Sequence, residues 1–380
     1  MAIKFQIGEN RMWRYNQPVK VIFGAGEIAN IADIMAENNL RRGVIISDSY
    51  SARTGRAQKL KELAGDLITG IVSQVEPNPT VENVDACKKF ASEHNAEMII
   101  GLGGGSAMDC AKAAAAALAM DCTGRELLQG KAITDSLPVI AIPATSGTGS
   151  EVGCVAVISN PRTQEKKAVS GRAMFPKIAL VDPELTYTMP SAITASTGFD
   201  VIAHCLDALT SRKHSPATDA LGVKAARMAF ENIETAVFDG ENKKARICMS
   251  EASVTAGLSF SQTGTTGSHG CSYVLTAVYG IPHGEACAFT LDSWFLINAK
   301  ARPELEELSV MMGFKGVQDV ADRINQLKKM FGFRTTLEDV GLKDDGLESA
   351  VERSYLTGNT KNNVMDVDRD MIRSVFLSKK

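Results

Sequence analysis

The chain has 380 residues, 44% of them hydrophobic and 22% charged, with a formal net charge of -3. That length exceeds what one core usually serves, so two domains are expected. The near-neutral balance lacks the concentrated basic surface that nucleic acid or an anionic membrane would need.

The N-terminal stretch "MAIKFQIGENRMWRYN" (1 to 16) alternates polar and apolar residues and has no uninterrupted apolar core of the signal-peptide kind, so a cytoplasmic protein is expected. A strand there could form an edge of the monomer or pair with a second subunit. Six apolar, β-rich runs ending in turn signals follow: "VKVIFGAG" (19 to 26), "GVIISD" (43 to 48), "GDLITGIV" (65 to 72), "EMIIGLGGGS" (97 to 106), "LPVIAIPATS" (137 to 146) and "IALVDPEL" (178 to 185). Amphipathic stretches such as 28 to 39 and 80 to 95 separate several of them. Apolar strands alternating with helices predict a mainly parallel sheet covered on both faces, with ligands at the strands' carboxyl ends. The Ala-rich run "AKAAAAALAM" (111 to 120) is too short for a membrane span, which needs roughly twenty apolar residues, and predicts a tightly packed helix.

From Ser191 the pattern changes to apolar spacings of three and four, predicting helices over 191 to 211, 216 to 236, 242 to 260, 284 to 298, 303 to 312, 316 to 331, 344 to 355 and 368 to 377. The fold class expected is therefore an α/β nucleotide-binding domain over 1–190, Rossmann-like with a mainly parallel sheet, and an all-α domain over 191–380. The eight cysteines form no CxxC pair and sit in apolar segments, as reduced thiols would.

Chemistry concentrates in a few places. Gly101, Gly103, Gly104, Gly105 and Ser106 lie between a strand and a helix, where close backbone N–H groups and the helix terminus can seat a phosphate; a tight strand-to-helix connection is the alternative. "PATSGTGSE" (143 to 151) is a second hydroxyl- and glycine-rich loop after a strand. Asp48 ends its strand and could accept hydrogen bonds from a ribose diol while repelling a 2'-phosphate, favouring NAD over NADP, or could simply cap the next turn. "GFDVIAHC" (198 to 205) places Asp200 and His204 four apart on a helix that otherwise reads as core, and a buried carboxylate needs a partner. Of five histidines, His94 and His214 stand in polar, turn-like contexts and are expected to be solvated. His269 and His283, each followed by glycine and an apolar run, remain. One carboxylate and three imidazoles suit a divalent transition metal, although spacing alone does not bring them together.

In order along nearly the whole chain, "PNPT" (77 to 80), "GGGSAMDCAK" (103 to 112), "PATSGTGSE", "VDPEL" (181 to 185), "TGFDVIAHCLDA" (197 to 208), "HG" at 269 and "PHG" at 282 to 284 make the sequence similar to the iron-containing, group III alcohol dehydrogenases. The resemblance implies a dehydroquinate synthase-like architecture, with NAD(H) and one divalent metal, Fe2+ or Zn2+, in the cleft between the domains. By position it implies Asp200, His204, His269 and His283 as metal ligands. Gly104, Gly105 and Ser106 would cradle the pyrophosphate, with Asp109 beside them. Asn78, Thr145, Thr148, Lys167 and Leu185 would contact other parts of NAD, and Asp48 its adenosine ribose. Two departures stand out. Many members have a second histidine four residues after the position of His269; here it is Tyr273, whose ordinary pKa of about 10 makes it a poor proton exchanger at neutral pH. The usual Pro-Thr-Thr opening of the 143 to 151 loop reads Pro143-Ala144-Thr145.

The implied activity is interconversion of a small primary alcohol and its aldehyde, as an aldehyde reductase on a short polar or anionic aldehyde, with a homodimer or higher homo-oligomer expected. A cyclase of the dehydroquinate synthase kind would use the same groups but return its NAD unchanged, and a catalytically idle NAD-binding protein would have no need of a costly buried cluster. In "SYLTGNTKNNVMD" (354 to 366), Asn359, Lys361 or Asn362 could meet a sulfonate or carboxylate; Lys361 could equally be a solvated loop lysine.

Overall fold

A computed structural model describes residues 12–163 and 165–380. Strands β1 (Lys20–Phe23), β2 (Gly43–Asp48), β3 (Ile68–Val75), β4 (Met98–Gly103) and β5 (Val139–Pro143) are followed by a hairpin of β6 (Val155–Asn160) and β7 (Glu165–Ser170), then β8 (Ile178–Val181). Six of them form one parallel sheet in the order β1-β8-β5-β4-β2-β3, while β6 and β7 pair antiparallel as a separate ribbon. Helices α1 (Ile31–Glu37), α2 (Ser49–Arg53), α3 (Arg56–Ala64), α4 (Val81–Glu93), α5 (Gly105–Ala119) and α6 (Gly124–Leu128) lie between the strands.

The period of two decides the layers. Val44, Ile46, Ile99 and Val139 face a core shared with Val84 of α4 and the alanines of α5. Their neighbours Ile45, Ile100, Ile140 and Ile178 face the opposite core with Ile31 of α1 and Leu60 of α3. The Ala-rich segment is the buried middle of α5, and a Cβ on Gly101 would lie 2.8 Å from the Ala111 Cβ, so small residues on both sides let this helix sit directly on β4.

From Ser191 onward the described chain is helical: α7 (Ser191–Leu209), α8 (Pro216–Phe238), α9 (Lys243–Thr263), α10 (Gly267–Tyr279), α11 (His283–Ala301), α12 (Leu305–Met311), α13 (Val317–Met330), α14 (Leu337–Val340), α15 (Asp344–Tyr355) and α16 (Arg369–Leu377). Phe199, Ile202 and Leu206 of α7 belong to one core with Ala225 and Ile233 of α8; Trp294 of α11 and Phe376 of α16 anchor a second.

Two elements differ from expectation. The β6–β7 hairpin was not foreseen, because Glu165, Lys166 and Lys167 mask its alternation. Helix α10 carries Gly267 and Gly270 in its first two turns, which reads against a helix; each is there because a Cβ would meet Trp294 at 2.5 Å or Thr360 Cγ2 at 2.6 Å. The expected N-terminal strand lies largely outside the described residues. Two histidines are also less solvated than their contexts suggest. His94 stacks on Phe90 with ring centroids 4.0 Å apart, and the His214 side chain is only 12% exposed, its Nδ1 3.1 Å from Asp219 Oδ2. Both rings are spent on local structure. All eight cysteines are free, and among the described residues no helix is long and apolar enough to cross a membrane.

Candidate metal centre and nucleotide cleft

Helix α7 places Asp200 and His204 on one buried face, α10 contributes His269 from its first turn, and His283 is the first residue of α11, set by Pro282 before it. All three imidazoles converge on one oxygen: Asp200 Oδ1 is 3.8 Å from His204 Nε2, 3.5 Å from His269 Nε2 and 3.9 Å from His283 Nε2. Convergence depends on Gly284, where a Cβ would stand 1.8 Å from the Ser196 carbonyl oxygen; only glycine lets the start of α11 press onto α7.

Two of the three rings are held by their far nitrogens, whereas His283 Nδ1 is buried without a hydrogen-bond partner. His204 Nδ1 is 3.3 Å from the Gly147 carbonyl, a contact that fixes the proton on Nδ1, and its ring lies between Phe260 (centroids 4.0 Å apart, 10° between planes) and His269. His269 Nδ1 is 2.8 Å from Asp207 Oδ2, and the Asp207 carboxylate also accepts from Thr266 N at 2.7 Å and Ser268 Oγ at 2.8 Å. Asp207, one further turn along α7, was not singled out from the sequence. Nor was Cys287, one turn into α11, whose Sγ is 3.9 Å from His283 Nε2.

Burial penalises the Asp200 carboxylate, but His204, His269 and His283 around it outweigh that and hold it well below the usual carboxylate range. Burial pushes the His204 imidazole down to about 4. For His269 burial also opposes the charged form, yet Cys287, Asp200 and Asp207 beside it raise it well above its ordinary value. Asp200 Oδ1 and His269 Nε2 are buried with no hydrogen-bond partner, an expensive arrangement unless a cation lies between them. The donor types, the shared oxygen and these two orphaned atoms fit a divalent transition metal.

The centre forms one wall of a cleft of about 420 Å³ whose other walls include Asn78, Gly105, Ser106, Asp109, Thr148 and Tyr273. The glycine loop thus opens onto the same space as the imidazoles. Gly105 faces Thr148, whose Cγ2 would be 2.7 Å from a Cβ there, and Gly104 lies opposite Thr145, so the two loops meet edge to edge. Asp109 fastens rather than projects: it accepts from Ser150 Oγ at 2.5 Å and Val157 N at 2.8 Å, and pairs with the fully buried Lys112 at 3.2 Å. Asp48 is at its strand end, where Oδ1 caps α2 by accepting from Ser51 N at 2.7 Å. Leu185 packs against the sheet core and is not among the cleft walls.

Lys167 is not among the cleft walls. Its Nζ is 2.8 Å from Glu165 Oε1 at the surface, whereas Lys166 lines the cleft and donates to Asn78 Oδ1 at 2.8 Å. Alternation along β7 sends the two lysines to opposite faces, and Lys166 shares its face with Ala168, Val155 and Val157, which also line the cleft. Tyr273 lies beside the centre, its ring nearly parallel to His283 with centroids 6.3 Å apart. Burial raises the phenol pKa further, away from neutrality. Of the tail residues, Asn359 reaches the cleft and donates to Thr265 Oγ1 at 2.5 Å, Asn362 bonds the Thr263 and Thr265 carbonyls, and Lys361 is exposed beside the Tyr355 ring.

A parallel α/β half with glycine loops at its strand ends, joined to a helical half carrying a carboxylate–imidazole cluster, defines a class of two-part metal-dependent enzymes. The chain belongs to the iron-containing alcohol dehydrogenase family: residues 18–183 match iron-containing alcohol dehydrogenase, and residues 194–379 match the family's C-terminal part. It is 31% identical over 352 residues to alcohol dehydrogenase 4 of Saccharomyces cerevisiae, covering 90% of this chain and 91% of the yeast protein. It is 29% identical to the sulfoacetaldehyde reductase of Bilophila wadsworthia, over 94% of this chain and 96% of that protein. Its fold superimposes with a TM-score of 0.94 on the crystal structure of sulfoacetaldehyde reductase from Bifidobacterium kashiwanohense in complex with NAD+, at 38% identity, covering 97% of this chain and 99% of that one.

Proposed function

We propose that this protein reduces a short polar or anionic aldehyde to its primary alcohol with NADH, at one divalent ion, iron or zinc, held by Asp200, His204, His269 and His283. The observation that carries this is the approach of three imidazole Nε2 atoms to within 3.9 Å of one buried Asp200 oxygen, in the wall of a cleft that the glycine loop also lines.

When bound, the ion would supply Lewis acidity at the carbonyl oxygen and NADH would supply hydride to the carbonyl carbon. The chain supplies placement. Backbone N–H groups of Gly105 and Ser106 at the start of α5 suit the pyrophosphate. Lys166, held by Asn78, adds a positive charge beside Ser106, whose Oγ accepts from Asn78 N at 3.1 Å. Asp48, whose Oδ1 caps α2, would offer Oδ2 to the ribose, and Gly103 leaves that oxygen room because a Cβ there would lie 2.4 Å from it. Tyr273 retains its proton at neutral pH and serves as a hydrogen-bond donor, not a base. With Lys361 outside the cleft, Tyr273 and Asn359 are the donors that would meet the distal polar group of the substrate. An anionic aldehyde is favoured by the similarity to two sulfoacetaldehyde reductases. The eight free cysteines support a cytoplasmic setting, and assembly as a homodimer or higher homo-oligomer is checked by light scattering.

The test is an anaerobic screen of short aldehydes, sulfoacetaldehyde and uncharged analogues included, with NADH after reconstitution with Fe2+ and separately with Zn2+. Net loss of NADH absorbance with an aldehyde substrate is expected. Turnover that leaves NADH unchanged would point to the cyclase chemistry instead.

A further inference from the structure

Glu151 ends the loop 143 to 151 and is the only ionisable side chain in it. It is 2% exposed in the single turn Ser150–Val152, and among the described residues it pairs with no cation and meets no donor apart from its own backbone N–H. Its carboxyl faces a cavity too small to admit a water molecule, where the nucleotide loop of the α/β half meets α9 of the helical half. Asp182 and the hydroxyl residues Thr145, Thr186, Ser250 and Ser253 wall that cavity. No neighbour neutralises the acid. Asp182 spends both oxygens on backbone N–H groups, those of Gly26 and Glu184 at 3.0 Å and of Ile28 at 3.1 Å. Lys112 of α5 spends its ammonium on Asp109, on the Ser150 hydroxyl and on the carbonyls of Ser150, Gly153 and Val155. Arg246 of α9 is turned to the Met189 and Gly240 carbonyls and the Thr194 hydroxyl, while Glu184 and Glu251 are exposed. A carboxylate walled in this way is costly, so burial raises the group to about 7, and the opposing pull of Lys112 does not reverse that.

The loop is clamped from both sides. Thr145 and Thr148 lie against Gly104 and Gly105, Ser146 Oγ is 2.9 Å from Ser250 Oγ, and a Cβ on Gly149 would lie 2.7 Å from Gly257 Cα, so α9 presses on it directly. A charge in the cavity could be solvated only by turning those hydroxyls, Thr145 among them, or by admitting water at the seam. Either shifts the edge that the loop presents to the glycines. We propose that Glu151 is a positioning residue, a neutral carboxylic acid that keeps the nucleotide loop in place, and that its ionisation loosens the seat of NADH. The proton then passes to solvent and no electrons change hands. The inference needs nucleotide binding only, and neither the metal nor the aldehyde. Neutral in the folded chain and ionised in the unfolded one, the acid contributes its full stability below its ordinary range, and that contribution is lost as the pH rises to about 7.

Fluorescence titration of the full-length protein with NADH, from about pH 6 to about pH 9, tests this. The wild-type dissociation constant should be flat to about pH 7 and then rise, by up to about tenfold per pH unit. Glu151→Gln, which has the shape of the neutral acid, should remove that rise and leave only the part due to Lys166. A flat wild-type profile, or an unchanged rise in Glu151→Gln, would overturn the proposal. Infrared spectra of the wild type, which do not depend on the variant folding, should show the carbonyl stretch of a protonated carboxyl group at about pH 6 that is gone by about pH 9. Its absence at the lower pH would overturn the proposal equally. A wild type that binds no NADH at any pH would overturn the nucleotide cleft along with it.

Discussion

Asp207 does for His269 what the Gly147 carbonyl does for His204: it claims Nδ1, so that Nε2 faces the centre with its lone pair. Asp207→Asn should keep the fold and weaken metal retention by about 10- to 100-fold, read by competition with a chromophoric chelator; unchanged affinity would remove Asp207 from the support of the site. The two adjacent lysines of β7 give a second residue-scale prediction. Lys166→Ala should raise the dissociation constant for NADH, and Lys167→Ala should leave it unchanged, by fluorescence titration; the reverse result would restore the assignment suggested by the motif. Asp200 and His204 were legible in the sequence because a helix face four residues apart is a local fact. Asp207 and His269 are 62 residues apart, and nothing local marks an aspartate as the partner of a distant ring.

At the level of elements, the centre exists because α11 can touch α7. Gly284→Ala would put a methyl group 1.8 Å from the Ser196 carbonyl, which neither backbone can relieve without moving. We expect a loss of stability of at least about 3 kcal/mol, at the upper end for overpacking, together with loss of bound metal. Thermal melting and metal stoichiometry check it, and a variant that melts like the wild type with its metal retained would show that α11 is less constrained than it is here. The sheet and most long helices were legible because each presents one period over many residues. Helix α10 was not: its glycines are dictated by Trp294 and Thr360, residues that the local sequence does not contain. The β6–β7 hairpin was hidden for a similar reason, since its polar face carries the charges that make a short strand look like a loop.

Across the whole molecule, chemistry is divided between the halves. The metal-type donors lie on α7, α10 and α11, and the glycine loops end strands β4 and β5. Asp200→Ala should therefore abolish metal retention and turnover while leaving NADH binding largely intact, measured by metal analysis and by titration of the same preparation. Full activity in a metal-depleted Asp200→Ala protein would count against the proposed chemistry. The division into an α/β half and a helical half was legible from the change of periodicity, but how the halves meet was not, because the cleft is made by loops that only the folded chain brings edge to edge.

The β6–β7 ribbon is a sheet of its own, and its register decides which residues it packs into the core, now Ala156, Ile158 and Val169, and which it turns to the cleft. One residue inserted into β7 ahead of Lys166 would exchange the two neighbours, turning the inner ammonium outward and the outer one inward. Two homologous chains could then carry the same Lys-Lys pair and offer opposite members of it to the ligand, so that the cleft's charge follows from counting along an edge and not from composition.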